Sequence, residues 1–218
     1  MQNSRIRRKS AADGWKIPQE AAKPLVQTRI SGYTTLISRR RIIIMCTAIR
    51  LTTHDHYFGR NLDLEYSYQE TVAITPRRYP FHFRHEGTNS DHFAMIGMAF
   101  VVGGMPLYYE ATNEKGLSMA GLNFPASAVY HDVKPDCANI ASFELIPYIL
   151  GQCESVKEAK TLLQRLNITR DGFSEQLPPS PLHWMIDDRE GCIVVESMAD
   201  GLHVYDLSLI HISEPTRR

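Results

Sequence analysis

The sequence predicts an α+β fold in which strands flank a short helical stretch. Three observations carry that prediction. Segments rich in β-branched residues, alternating or continuous in apolar character, occupy most of 46–124 and return after 182. Between them lie two stretches with apolar residues at helical spacing. Turn-forming residues mark the boundaries. Strands, then two helices, then strands make a layered domain.

Taken in order, Cys46 to Thr53 reads as a strand by its β-branched residues and near alternation. His54-Asp55-His56 turns the chain, and Tyr57 to Asn61 reads as the second strand of a hairpin. Thr71 to Thr75 is a third strand, stopped by Pro76. The polar, His-rich segment from Pro80 to His92 reads as a loop. Phe93 to Val102 is a mostly buried strand ended by Gly103-Gly104. Leu107 to Thr112 and Leu117 to Phe124 form another hairpin around Asn113-Glu114-Lys115-Gly116, with Gly116 supplying a positive φ. Ser142 to Gly151 is the first helix, with Ser142 as its N-cap. Ser155-Val156-Lys157-Glu158 is a capping box, and Val156, Ala159, Leu162, Leu163 and Leu166 form the apolar stripe of a second helix. Leu182 to Ile186, Cys192 to Glu196 and Leu202 to Tyr205 return to strands.

The composition sets limits on function. With 218 residues, 43% of them hydrophobic and 22% charged, the chain suits one globular domain with tails. No run of about 18 apolar residues exists, so no membrane-spanning helix is expected. The formal net charge of zero hides an asymmetry. Residues 1–44 carry ten basic and two acidic side chains, whereas 45–207 carry 12 basic and 21 acidic. An acidic body argues against nucleic acid as a partner. The basic leader, 1–44, has no helix or strand period and reads as disordered or foreign to the fold. Residues 208–218 interrupt a strand pattern without a turn and read as an artefactual tail. Four cysteines without a CxxC pair suggest neither a zinc site nor a disulfide scaffold, and reduced cytoplasmic thiols are the default. The nine histidines form no metal-binding pattern.

Three groups of residues carry chemistry. Cys46 follows Met45, and an N-terminal Cys unites a thiol nucleophile with an α-amine of pKa about 8. A buried strand cysteine is the commoner role for such a position. Arg60 and Asp63, in Phe-Gly-Arg-Asn-Leu-Asp, fall at the end of the second strand, beside the start of the first. An arginine there favours the thiolate, and a carboxylate can hold the proton of an α-amine; a surface ion pair of little consequence is the plainer alternative. Asn123, in Ala-Gly-Leu-Asn-Phe-Pro, presents an amide donor near a strand end, suited to an oxyanion hole or to simple turn chemistry.

The order Met-Cys-Thr, Gly-Arg-Asn-x-Asp, Asn-Glu-Lys-Gly-Leu, Gly-Leu-Asn-Phe-Pro, Leu-His-Trp-Met-Ile resembles the choloylglycine hydrolase family, which holds the conjugated bile salt hydrolases and penicillin V acylases. The resemblance runs from Met45 to about Asp206. It implies an N-terminal-nucleophile hydrolase with an αββα sandwich, Cys46 as nucleophile, Arg60 and Asp63 as its neighbours, and Asn123 as an oxyanion or substrate-orienting residue. Leu62 falls where the family lines its apolar pocket. The substrate class implied is a conjugated bile salt, cleaved without metal or organic cofactor, and a homo-oligomer of the full-length protein is compatible with it. Asn at 123 favours the bile salt hydrolase side over penicillin V acylase. Two departures imply that the chain as given is inactive. The C-terminal half of the family domain, with a further catalytic Asn and Arg, is missing, and Cys46 is not N-terminal as written. The rival from another class is a non-enzymatic α+β binding protein whose basic leader contacts an acidic partner.

Overall fold

The computed structural model describes residues 46–63 and 67–207; the expectations for the leader, Met45 and the tail fall outside them. The chain opens with strands β1 (Thr47–Thr52) and β2 (His56–Asn61), an antiparallel hairpin that forms its own two-stranded sheet. There follow β3 (Thr71–Thr75), β4 (Phe81–Phe83), β5 (Gly87–Asn89), β6 (Met95–Val102), β7 (Met105–Asn113), β8 (Ser118–Asn123) and β9 (Ala138–Ala141). Helices α1 (Leu145–Gln152) and α2 (Val156–Leu163) come next, then β10 (Leu166–Thr169), β11 (Leu182–Asp187), β12 (Cys192–Met198) and β13 (Gly201–Asp206). A seven-stranded sheet runs β13-β12-β11-β8-β7-β6-β3, antiparallel at every pair. The chain leaves this sheet after β8 and returns at β11, and the excursion carries both helices and the parallel pair β9–β10.

Strand alternation gives the sheet two apolar faces. Met119, Trp184, Ile186, Ile193 and Val195 turn toward the helices, where Leu145, Ile149, Leu150, Val156, Ala159 and Leu163 complete the larger core. Ala120, Leu122, Met185 and Cys192 turn the other way and meet Ala48 of β1 in a smaller cluster. The layers are therefore helices, large sheet and hairpin, in that order.

The Asn113 turn joins layers. Gly116 takes a φ of +90° as expected. The Asn113 carboxamide oxygen accepts from the backbone N–H groups of Lys115 and Leu117, and its Nδ2 donates to the carbonyls of Leu150 and Cys153 at 2.8 Å. One buried side chain thus closes the turn and satisfies carbonyls left open at the end of α1.

Three expectations are corrected. The segment 80–92 is not all loop: Phe81 and Phe83 alternate inward past an exposed His82, and β4 pairs with β5. Leu166 does not extend the second helix, because the chain closes with Arg165 N–H donating to the Leu162 carbonyl and Leu166 enters β10. Ser142 does not cap the first helix. It begins a 3-10 turn, Ser142–Glu144, and the Glu144 carboxylate accepts from the N–H groups of Ala141 at 3.0 Å and Arg84 at 2.9 Å. The second cap holds: Ser155 Oγ accepts from the Glu158 N–H at 3.3 Å.

Candidate active site

The site residues are carried by the β1–β2 hairpin, whose sequence has one polar-apolar inward face. Ala48 and Arg50 of β1, with His56, Phe58 and Arg60 of β2, turn toward the large sheet, while Ile49, Leu51 and Tyr57 are exposed outward. Register places Ala48 opposite Arg60 and Thr47 opposite Asn61. Cys46 immediately precedes β1, half-buried against the cluster of Ala48, Ala120, Leu122, Met185 and Cys192.

Asn61 ties the strand start to the segment after β2. Its Oδ1 accepts from the Thr47 N–H at 2.5 Å, and its Nδ2 donates to Asp63 Oδ2 at 2.9 Å. The residue next to Cys46 is thereby linked through one side chain to Asp63.

Arg60 has a buried side chain, only 4% exposed. Its Nη1 donates to the Tyr109 carbonyl at 3.4 Å and to Glu110 Oε2 at 3.3 Å, and its Nε donates to the Asn61 carbonyl at 3.2 Å. Among the described residues its Nη2 is buried without a hydrogen-bond partner. Both acceptors on β7 come from a β-bulge. Met98 of β6 pairs with Glu110, but Ala99 pairs with Tyr108, so Tyr109 is the extra residue. Gly97 permits this close approach, since a Cβ there would lie 1.9 Å from the Glu110 carbonyl oxygen. Burial raises the Glu110 carboxyl above its ordinary value, and Arg60 opposes that shift.

The hairpin is anchored again at its other end. Arg50 Nε donates to Asp187 Oδ1 at 2.5 Å, and Arg50 Nη2 donates to the Asp188 carbonyl at 3.1 Å. His56 Nε2 lies 2.6 Å from Asp187 Oδ2, while its Nδ1 lies 2.8 Å from Thr52 Oγ1. Asp187 is fully buried, and burial raises its carboxyl against the opposing pull of Arg50 and His56.

The remaining expected residues sit as follows. Leu62 is half-buried just beyond β2, and Asp63 is exposed. Asn123 is exposed at the end of β8, opposite Leu182 of β11, and Leu122 rather than Asn123 joins the cluster beneath the hairpin. The hairpin thus brings Cys46, Arg60 and Asp63 into one unit, and Asn123 comes from the large sheet. A cleft of about 540 Å³ opens elsewhere, at the His56 end of the hairpin, and none of the expected site residues lines it. Sequence reasoning missed Asn61, Glu110 and the Arg50–Asp187–His56 cluster. The one local signal for the bulge was Gly97 inside an apolar strand.

The thiols differ. Burial pushes Cys153 up to about 12 and Cys192 higher still, so both are inert at neutral pH. Cys46 and Cys137 are half-buried, and all four are free of disulfides. Among the described residues no group of three or more His, Cys, Asp or Glu could hold a metal ion, and no helix is long and apolar enough to cross a membrane.

Helices lie on one face of the antiparallel sheet and the cysteine-bearing hairpin on the other, and the fold is that of the N-terminal-nucleophile hydrolases. Two solved structures share it: a mutant conjugated bile acid hydrolase from Clostridium perfringens, with a TM-score of 0.71 and 34% identity over 75% of this chain and 51% of that one, and penicillin V acylase from Agrobacterium tumefaciens, with a TM-score of 0.62 and 15% identity over 79% and 53%. The sequence model for linear amide C-N hydrolases, choloylglycine hydrolase family, matches residues 46–215, and the chain belongs to that family. It is 52% identical over 162 residues to the bile salt hydrolase/transferase of Lactiplantibacillus plantarum, covering 74% of this chain and 50% of that protein. The chain spans about half the length of the curated relatives it matches.

Proposed function

We propose that the domain to which this chain contributes hydrolyses the amide bond joining a bile acid to glycine or taurine, with Cys46 as nucleophile. The observation that supports this reading is that Cys46 directly precedes Thr47, whose N–H is bonded to Asn61, itself bonded to Asp63, on the hairpin that also holds Arg60, in a chain 52% identical to a bile salt hydrolase/transferase.

The chemistry requires cleavage of the Met45–Cys46 peptide bond, since an amide nitrogen is no base. The freed α-amine takes the thiol proton, and the thiolate forms a bond to the amide carbonyl carbon. Amide donors, Asn123 among them, receive the oxyanion. Collapse breaks the C–N bond, and the ammonium group protonates the departing amino acid. Water then displaces the thiol from the thioester and releases the bile acid. Arg60 favours the thiolate, Asp63 orients the amine, and Leu62 lines the apolar end. Free cysteines suit a reducing compartment, and we place the protein in the cytoplasm.

The test is mass spectrometry of the expressed chain, together with release of glycine or taurine from conjugated bile salts by the full-length protein that contains it. An N-terminus at Cys46 and release abolished by Cys46→Ser support the reading. Release that survives Cys46→Ser removes it. Turnover of penicillin V without turnover of glycocholate moves the assignment to the acylase branch.

A further inference from the structure

We infer that Glu110 is a positioning residue: with the bulged Tyr109 carbonyl it forms the seat that fixes the Arg60 guanidinium beside the Cys46 strand. This rests on the reading that Cys46 is the nucleophile and Arg60 its thiolate partner.

The geometry is specific. Arg60 reaches the large sheet from β2, where its Nη1 meets two acceptors supplied by consecutive residues of β7. In a regular ladder, backbone carbonyls bond the neighbouring strands. The bulge leaves Tyr109 out of the register, so its carbonyl and the next side chain serve one guanidinium nitrogen. Gly97 on β6 is what allows the two strands to approach there. The seat occupies Nη1, the Asn61 carbonyl takes Nε, and among the described residues Nη2 is buried without a partner. A buried cationic donor with no acceptor is costly, which is what a group held ready for an anion must tolerate. The other titratable groups coupled to this region are Tyr109, Tyr68 and Glu70. The Tyr109 phenol is pushed up to about 12 by burial and so stays neutral through the range of interest.

Positioning and plain electrostatics predict opposite signs. Removing a nearby negative charge by itself makes a thiolate easier to form. Losing the seat of Arg60 removes the thiolate's cationic partner and makes it harder. The experiment uses the 218-residue chain and follows iodoacetamide labelling of Cys46 against pH, with each cysteine resolved by peptide mass spectrometry. Labelling of buried Cys153 and Cys192 reports unfolding in the same samples.

Arg60→Ala sets the reference and should raise the pH midpoint of Cys46 labelling, the direction expected when a neighbouring opposite charge is lost. Glu110→Ala should raise it in the same direction, with Cys153 and Cys192 still protected. Glu110→Gln keeps an acceptor oxygen and should leave the midpoint at or below that of the parent, a rescue that a merely structural role would not give. If Glu110→Ala exposes Cys153 and Cys192, Glu110→Leu keeps the volume, lacks the acceptor and should show the same rise. A rise in Arg60→Ala with none in Glu110→Ala or Glu110→Leu overturns the inference and leaves the site reading intact. No rise in Arg60→Ala overturns the site reading itself.

Discussion

Asp187→Asn should destabilise the protein far more than its small change in shape suggests. The carboxylate is fully buried and faces two side chains of the hairpin, Arg50 at 2.5 Å and His56 at 2.6 Å. The substitution keeps the volume and one acceptor oxygen but leaves the Arg50 guanidinium, 6% exposed, without a counter-charge. Breaking a buried pair by removing one partner costs about 3–5 kcal/mol. The retained bond from Arg50 Nη2 to the Asp188 carbonyl holds the expected loss near the lower end, about 3 kcal/mol. For a chain of this size that is a fall in Tm of about 6–12 °C. The assay is thermal melting by circular dichroism at pH 7, with the parent, Asp187→Asn, Arg50→Met and the double variant Arg50→Met/Asp187→Leu side by side. Arg50→Met should lose less, because His56 Nε2 still faces the Asp187 carboxylate at 2.6 Å. The double variant should melt closer to the parent than Asp187→Asn does, since an apolar pair carries no desolvation penalty. An Asp187→Asn melt within about 2 °C of the parent would refute the claim that this ionic cluster pins the hairpin to the sheet.

Other predictions follow from single residues. Gly97→Ala places a Cβ 1.9 Å from the Glu110 carbonyl oxygen and 2.6 Å from the Ala111 Cα, so β6 and β7 must part at the bulge. We expect a loss of about 1–3 kcal/mol in denaturant melts, and parent-like stability would argue against the close approach. Hydrogen bonds from Arg77 and then from the Ala94 N–H lower Glu114 from 4.5 to about 2. A lowered carboxyl contributes stability above its unfolded value, lost as pH falls through its folded one. The stability gap between the parent and Glu114→Gln should be present at neutral pH and close between 4.5 and about 2; parallel curves through that window would count against the pairing. In native protein, iodoacetamide should label Cys46 and Cys137 well before Cys153 and Cys192, and rapid labelling of Cys192 would place the hairpin away from the sheet.

Much of the layout is readable because local pattern and final structure agree. The capping box at Ser155, the turn before Gly116 and the alternating strands of 182–206 each have a cause within a few residues. The parallel pair β9–β10 was not readable. Its strands have four residues each and bury Asn139 and Asn167, which mimic loop polarity until the two side chains bond each other at 2.8 Å. The motif residues Cys46, Arg60 and Asp63 stand out in the sequence, but their support does not. Glu110 sits at a bulge that no periodicity reveals, and Asp187 meets Arg50 across 137 residues of chain. The deciding interactions there are long-range and ionic, whereas periodicity reports only which face is apolar.

The two anchors of the hairpin also set an order in time. The strand that follows Cys46 is the first described element to leave the ribosome, yet Glu110 and Asp187 trail their arginine partners by 50 and 137 residues. At about 5–20 residues per second, the second anchor emerges on the order of ten seconds after the hairpin. Until then the Cys46 thiol lacks the cluster that half-buries it, and Ala48 and Phe58 have no sheet to cover. Non-local pairing is slow because a long loop must close before any contact forms. The first described strand thus waits longer for its anchor than any strand that pairs with its sequence neighbour, and the thiol beside it spends that interval exposed to whatever oxidants or stray electrophiles surround the translating ribosome.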